Sequence, residues 1–275
     1  MIMGSVVLAV IVVFLTASLL SLFGKGGGEF YVPLLITLGI PFQTAATTSL
    51  LCLVFSGTAM TMIYHRKMKQ VDWSLAAVLF STAGVSALAG GFFSGGIDPF
   101  YLKMIFSITL FAAAAVMYIR KAGVGEKIEE EMEEEERKEK KPWIWHRKSP
   151  EGNFDMNLLY VLPPVGIVGF LAGMVGISGG GLIVPIIIIL GTVPLRTAFA
   201  TNSVLVLLTS IMAISGRVMG SGIDIGLALP IATAAFIGAV IGSNLSKKVD
   251  VRSLQGYFIV VLIVAAVWML YRAFI

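Results

Sequence analysis

The chain has 275 residues, 57% of them hydrophobic and 13% charged, against roughly 45–50% apolar and about 25% charged in a soluble domain; with a mean hydropathy of +0.92 this excludes a soluble enzyme. The net charge of +4 is modest, and the two His and the single Cys52 stand in no CxxC or HExxH spacing. Too few ligands remain for a structural zinc, haem or iron–sulfur site, so no cofactor is expected.

The first apolar segment, about 3 to 23, is long enough to cross a bilayer, which takes about 20 apolar residues. It has no basic n-region and no A-x-A cleavage site, and reads as a retained helix rather than a signal peptide. The Gly-rich stretch GKGGGEF follows, and then an apolar segment of only ten residues, about 30 to 39. At about 1.5 Å per residue such a helix covers half of a hydrocarbon core. Full-length segments come next at about 44 to 64, 73 to 94 and 99 to 119. After a charged linker the same order returns: 158 to 175, GISGGGL, a ten-residue segment at 182 to 191, then 197 to 215, 225 to 245 and 253 to 271.

The predicted fold is all-α, a polytopic transmembrane helical bundle of two homologous four-helix repeats, each with a Gly-rich broken helix. Residues 1–120 form the first repeat, 121–157 the linker and 158–275 the second. An offset of 152 pairs Gly24 with Gly176, Gly27 with Gly179, Gly28 with Gly180, Pro33 with Pro185 and Gly39 with Gly191. Two inserted residues bring ATTSL at 46–50 onto ATNSV at 200–204, and the offset of 152 then pairs Asp72 with Asp224 and Asp98 with Asp250. Pro, Gly and Asp recurring across all the spans point to a duplication.

Between Lys121 and Asp155 lie 11 acidic and 8 basic residues, so the membrane part keeps five acids and twelve bases. EEEMEEEERKEKK places Glu ahead of Arg or Lys at helical spacing, as in a solvated helix. Trp143 and Trp145 beside His146, Arg147 and Lys148 read as an interfacial belt. The basic loop 65–69 and the stretch from Arg120 to Lys148 are expected on the cytoplasmic side. Counting four crossings per repeat puts the N-terminus there too and makes the repeats parallel, although Lys247, Lys248 and Arg252 then fall outside. An inverted pair would need one apolar segment to dip in and return.

In a membrane interior irregular backbone survives only where it is buried or lines a watery cavity. Each Gly-rich break opens a half-helix and so offers free N–H groups and the positive end of a helix dipole. Gly24, Gly26, Gly27 and Gly28 in the first break, with Gly176, Ser178, Gly179, Gly180 and Gly181 in the second, are candidate anion cradles. Close helix packing is the alternative use of such glycines. Beyond each half-helix, Gln43, Thr47, Thr48 and Ser49 answer to Arg196, Thr201, Asn202 and Ser203. These hydroxyls and amides could hydrogen-bond an oxyanion; Arg196 could pair with it or snorkel to the interface. Glu29 is the one candidate for a proton-coupling carboxylate, and Lys25 stands close enough in the chain to pair with it.

The doubled GKGGGEFYVP and GISGGGLIVP, each followed by A-T-x-S, resemble the TauE/SafE family of sulfite exporters over essentially the whole chain except the linker. That resemblance implies a multi-pass protein of the cell membrane, in a prokaryote the cytoplasmic membrane. It further implies secondary transport of a small sulfur-containing or organic anion such as sulfite, a sulfonate or a carboxylate. A substrate held between the repeats would move by alternating access, with a proton or sodium as coupling ion; a homo-oligomer is compatible with this reading. An anion channel or a membrane scaffold is the alternative, and no nucleic acid partner or enzymatic reaction is expected.

Overall fold

The computed structural model describes residues 2–121, 143–149, 152–246 and 251–274. In these the chain forms ten α-helices and one β-hairpin: α1 Ile2–Leu20, α2 Gly28–Thr37, α3 Phe42–Ile63, α4 Trp73–Ser94, α5 Pro99–Lys121, β1 Ile144–Ser149, β2 Gly152–Asn157, α6 Leu158–Val175, α7 Gly180–Ile189, α8 Leu195–Ser221, α9 Ile225–Leu245 and α10 Val251–Phe274. Six of the helices, α3 to α6, α8 and α9, are long and apolar enough to cross a membrane; α1 and α10 add described apolar stretches at Val6–Leu20 and Leu262–Phe274. The short α2 and α7 lie where two half-helices are expected.

Local chemistry sets these boundaries. Asp72 precedes α4 and accepts from Ser74 N and Leu75 N, Asp224 precedes α9 and accepts from Leu227 N, and Asn157 precedes α6 and accepts from Leu159 N. Each satisfies an amide that the first helical turn leaves open. Pro41 and Pro194 stand immediately before α3 and α8, where an extended residue ends the preceding loop.

Contacts between helix ends fix the direction of each span. The hairpin sits on one face: Thr192, just after α7, bonds Asp155, and Arg147 bonds Asp72 at the start of α4. The other face carries Gln43 at the start of α3, bonded to Ser94 at the end of α4, and Lys103 in α5, bonded to Arg272 in α10. The α6 helix leaves the hairpin face and α7 returns to it, so the pair is a re-entrant helical hairpin. Similarly α1 rises parallel to α9, with Phe14 and Ser18 beside Gly238 and Gly242, and α2 returns to the face from which α1 started, where Ile36 and Thr37 meet Arg272 and Trp268.

This corrects the expected topology. Because α2 folds back beside α1, the N-terminal end lies on the face opposite the 65–69 loop, and helices at matching places in the two segments run in opposite directions. The α9 helix ends on the hairpin face, where Asn244 Oδ1 accepts from Lys67 Nζ at 2.5 Å. Lys247 and Lys248 lie outside the described residues. The linker is also more structured than expected at its end: β1 and β2 pair antiparallel from Ile144–Asn157 to Ser149–Gly152. Within this hairpin Trp145 packs edge-on against Phe154, and Trp143, just before it, is exposed. The expected solvated helix falls on 122–142, outside the described residues.

The core is interlocked. The α4 helix packs on α6 and α8, while α9 packs on α1 and α3, so each of them is embedded against the other segment. Bare glycines allow this approach: a Cβ on Gly90 would stand 2.0 Å from the Phe170 carbonyl oxygen, on Gly173 2.1 Å from that of Ala87, and on Gly242 2.1 Å from that of Ser18.

Candidate functional site

The two Gly-rich breaks meet inside the protein. Gly24, with φ of +63°, turns the chain after α1, and Gly179, with φ of +65°, stands before α7; both angles favour glycine. The tips are close enough that a Cβ on Gly28 would lie 2.9 Å from Ser178 N. Gly24, Gly26, Gly27, Gly28, Gly176, Ser178, Gly179, Gly180 and Gly181 are all buried there.

The polar pairs beyond the half-helices cross over to the opposite break. Ser49 Oγ of α3 donates to the Gly176 carbonyl at 2.7 Å, and Asn202 Nδ2 of α8 donates to the Gly24 carbonyl at 2.8 Å. Each thus satisfies a carbonyl at a helix end. Asn202 Oδ1 is buried with no hydrogen-bond partner. The neighbours diverge: Thr47 and Ser203 donate to Gln43 O and Ala200 O of their own helices, Thr48 is buried, and Thr201 Oγ1 accepts from Asp72 N at 3.2 Å.

A carboxylate of the chain itself meets the second break. Glu29, in the first turn of α2, accepts at Oε1 from Gly181 N at 3.0 Å and from Ser178 Oγ at 3.2 Å. Ser178 Oγ also accepts from Gly180 N at 3.3 Å. Lys25 directs its ammonium to Met117 Sδ of α5 at 3.4 Å. The departure of the first motif from the second, Glu29 where the other has Gly181, therefore places an anion where the repeat offers amides.

At the face away from the hairpin, Gln43, Thr44 and Thr47 line a cavity of about 410 Å³ with Gly222, Ile223 and Asp224. By the sequence pairing the counterparts of Gln43, Thr47 and Asp224 are Arg196, Thr201 and Asp72, at the hairpin face, where Thr197 follows Arg196 in α8. There the β-hairpin intervenes: Arg147 Nε and Nη2 bond Asp72 Oδ2 and Oδ1 at 3.0 and 3.2 Å, and Ser149 Oγ meets Thr197 Oγ1 at 3.4 Å. Arg196 is exposed in the first turn of α8 and does not join the central cluster.

The family model described as sulfite exporter TauE/SafE matches residues 9–269, nearly the whole chain. The chain belongs to the TauE/SafE family. It is 25% identical over 98% of its length to the probable membrane transporter protein YunE of Bacillus subtilis, 98% of which is covered. It is 30% identical over 88% of its length to the probable membrane transporter protein MJ0441 of Methanocaldococcus jannaschii, covering 85% of that protein. It is 26% identical over 74% of its length to the probable membrane transporter protein MamO of Paramagnetospirillum magneticum, covering 35% of that protein. No solved structure matches the chain significantly. With six described helices long and apolar enough to cross a membrane, this TauE/SafE chain is a multi-pass membrane protein of a transporter family.

One residue of this TauE/SafE structure escapes sequence reasoning. Arg217 is fully buried near the end of α8, where Nη1 donates to Gln43 Oε1 at 2.8 Å, Nη2 to the Met174 carbonyl at 2.5 Å and Nε to the Gly173 carbonyl at 3.3 Å. A cation there complements the negative end of the α6 dipole. It also orients Gln43, which lines the cavity. The signal was its place just past an apolar stretch ending near 215, which the helix runs beyond.

Proposed function

We propose that the protein is a secondary transporter of a small sulfur-containing or organic anion, working by alternating access between two inverted, duplicated halves. The observation that carries this reading is the meeting of the two helix breaks, each held by a polar side chain from the other half. Irregular backbone at that depth is stable in lipid only when buried or facing a cavity, and paired broken helices are the usual substrate locus of such transporters. The substrate would be held by the half-helix amides with Ser49 and Asn202 beside them. The cavity of Gln43, Thr47 and Asp224 would be the vestibule on one side; the hairpin would close the matching vestibule on the other. Arg196, exposed at the hairpin face, would act at most at the mouth.

The test is flux into proteoliposomes of sulfite, sulfate, methanesulfonate and short carboxylates. Saturable uptake of one class that depends on a counter-ion gradient is the expected result. Conductance that does not saturate would indicate a channel, and absence of flux for every anion would leave a scaffold.

A further inference from the structure

Glu29 has a chemistry that the transport reading does not use. It is 1% exposed, yet only one of its two carboxylate oxygens is hydrogen-bonded; Oε2 has no partner. The other oxygen holds Gly181 N and Ser178 Oγ at the opening of α7, whose N-cap, Gly179, supplies no side-chain acceptor. An anionic group is stabilised at a helix N-terminus by open amides and the dipole, and burying a carboxylate with one oxygen unsatisfied is costly. Tyr31 of its own re-entrant hairpin, Ser178 and Gly181 of the second break and Ala113 of α5 surround it, with the Cys52 thiol of α3 beyond Tyr31; the cation of the same break, Lys25, directs its ammonium to Met117 Sδ of α5.

We infer that Glu29 is a tethered internal anion that competes with the transported anion for the amides and hydroxyl at the start of α7, so that binding of substrate is coupled to protonation of this carboxylate. This rests on the transport reading and deepens it. When a substrate oxyanion takes the Gly181 N–H and Ser178 O–H donors, the displaced carboxylate stays in a buried, weakly polar place and binds one proton from solution. One anion and one proton then enter together, and the site's net charge does not change. The coupling ion on this scheme is the proton, and the first Gly-rich motif carries Glu29 because the second cradle needs a resident counter-charge when empty.

The test is calorimetric binding of methanesulfonate, which stays ionised throughout, to the full chain in lipid nanodiscs from mildly alkaline to mildly acidic pH. Wild-type affinity should rise as pH falls, by up to about tenfold per pH unit where the coupling is complete. Glu29→Gln should bind more tightly than wild type at alkaline pH and lose that pH dependence; Glu29→Ala, which leaves the cradle without an internal acceptor, should behave alike and serves if the glutamine variant does not fold. Binding whose pH dependence is the same in wild type and both variants overturns the coupling while leaving transport standing. Loss of binding in a folded Glu29→Gln or Glu29→Ala variant also overturns it, since a competitor's removal cannot weaken binding. Absence of binding and flux for every anion, in wild type and variants alike, overturns the transport reading and this inference together.

Discussion

Asn202 and Ser49 do equivalent work at the two breaks, each giving one hydrogen bond to a carbonyl on the opposite chain segment. In lipid no water stands ready to replace a lost donor, so truncating either leaves a buried acceptor unsatisfied, at about 1–3 kcal/mol. Asn202→Ala should therefore lower the thermal unfolding midpoint of the purified protein and weaken anion binding together, and Ser49→Ala should do the same. An Asn202→Ala variant with an unchanged midpoint would show that the Gly24 carbonyl finds another donor. Sequence spacing marked these two positions, but only within runs of three polar residues. Which member of each run points to the break depends on helix rotation: Thr47 and Ser203 turn back on their own helices, and Thr201 meets Asp72.

Among the helices, length was legible and direction was not. Eight long apolar segments and two of ten residues could be counted from hydropathy, since crossing a bilayer fixes how many apolar residues a span needs. Nothing in ten apolar residues tells whether a half-helix continues across or folds back, and that choice reverses the parity of crossings. The hairpin at 144–157 was hidden for a different reason: its strands are charged and stand at the end of a highly charged linker, where composition suggests only a spacer. What holds the helices in their crossed arrangement is close approach at small residues. Gly90→Ala should be poorly tolerated, because its methyl would meet the backbone of α6 at 2.0 Å, whereas Gly96→Ala, with its nearest neighbour at 3.9 Å, should shift stability by no more than about 0.5 kcal/mol. Comparing the two by detergent thermal stability isolates the packing effect, since both add the same methyl group. Equal midpoints would mean that α4 and α6 can separate without cost.

Among the described residues of the whole molecule, the basic 65–69 loop lies on the hairpin face, where Lys67 meets Asn244 at the end of α9, and the charge rule assigns that face to the cytoplasm. The two faces differ in one respect that the pairing of the halves makes visible. Asp224 lines a cavity with Gln43, Thr44 and Thr47, but its counterpart Asp72 is capped by Arg147 from the hairpin, with the Arg147 side chain 36% exposed and Asp72 3% exposed. Removing Arg147 leaves the buried Asp72 carboxylate with its Ser74 and Leu75 amide donors alone, at some cost in stability, so the effect on access is read by labelling folded protein. Arg147→Ala should free the hairpin tip and admit solvent between Asp72 and Thr197. The measurement is the rate at which a cysteine at Thr197, in a Cys52→Ala background, reacts with a membrane-impermeant thiol reagent applied from the hairpin face; Cys52 is the chain's one cysteine and is buried. Arg147→Ala should raise that rate several-fold and leave a cysteine at Thr44, on the far face, labelled from its own side as before. If the Thr197 position is already fully reactive with Arg147 in place, the hairpin does not close that vestibule, and the difference between the two faces has no part in gating.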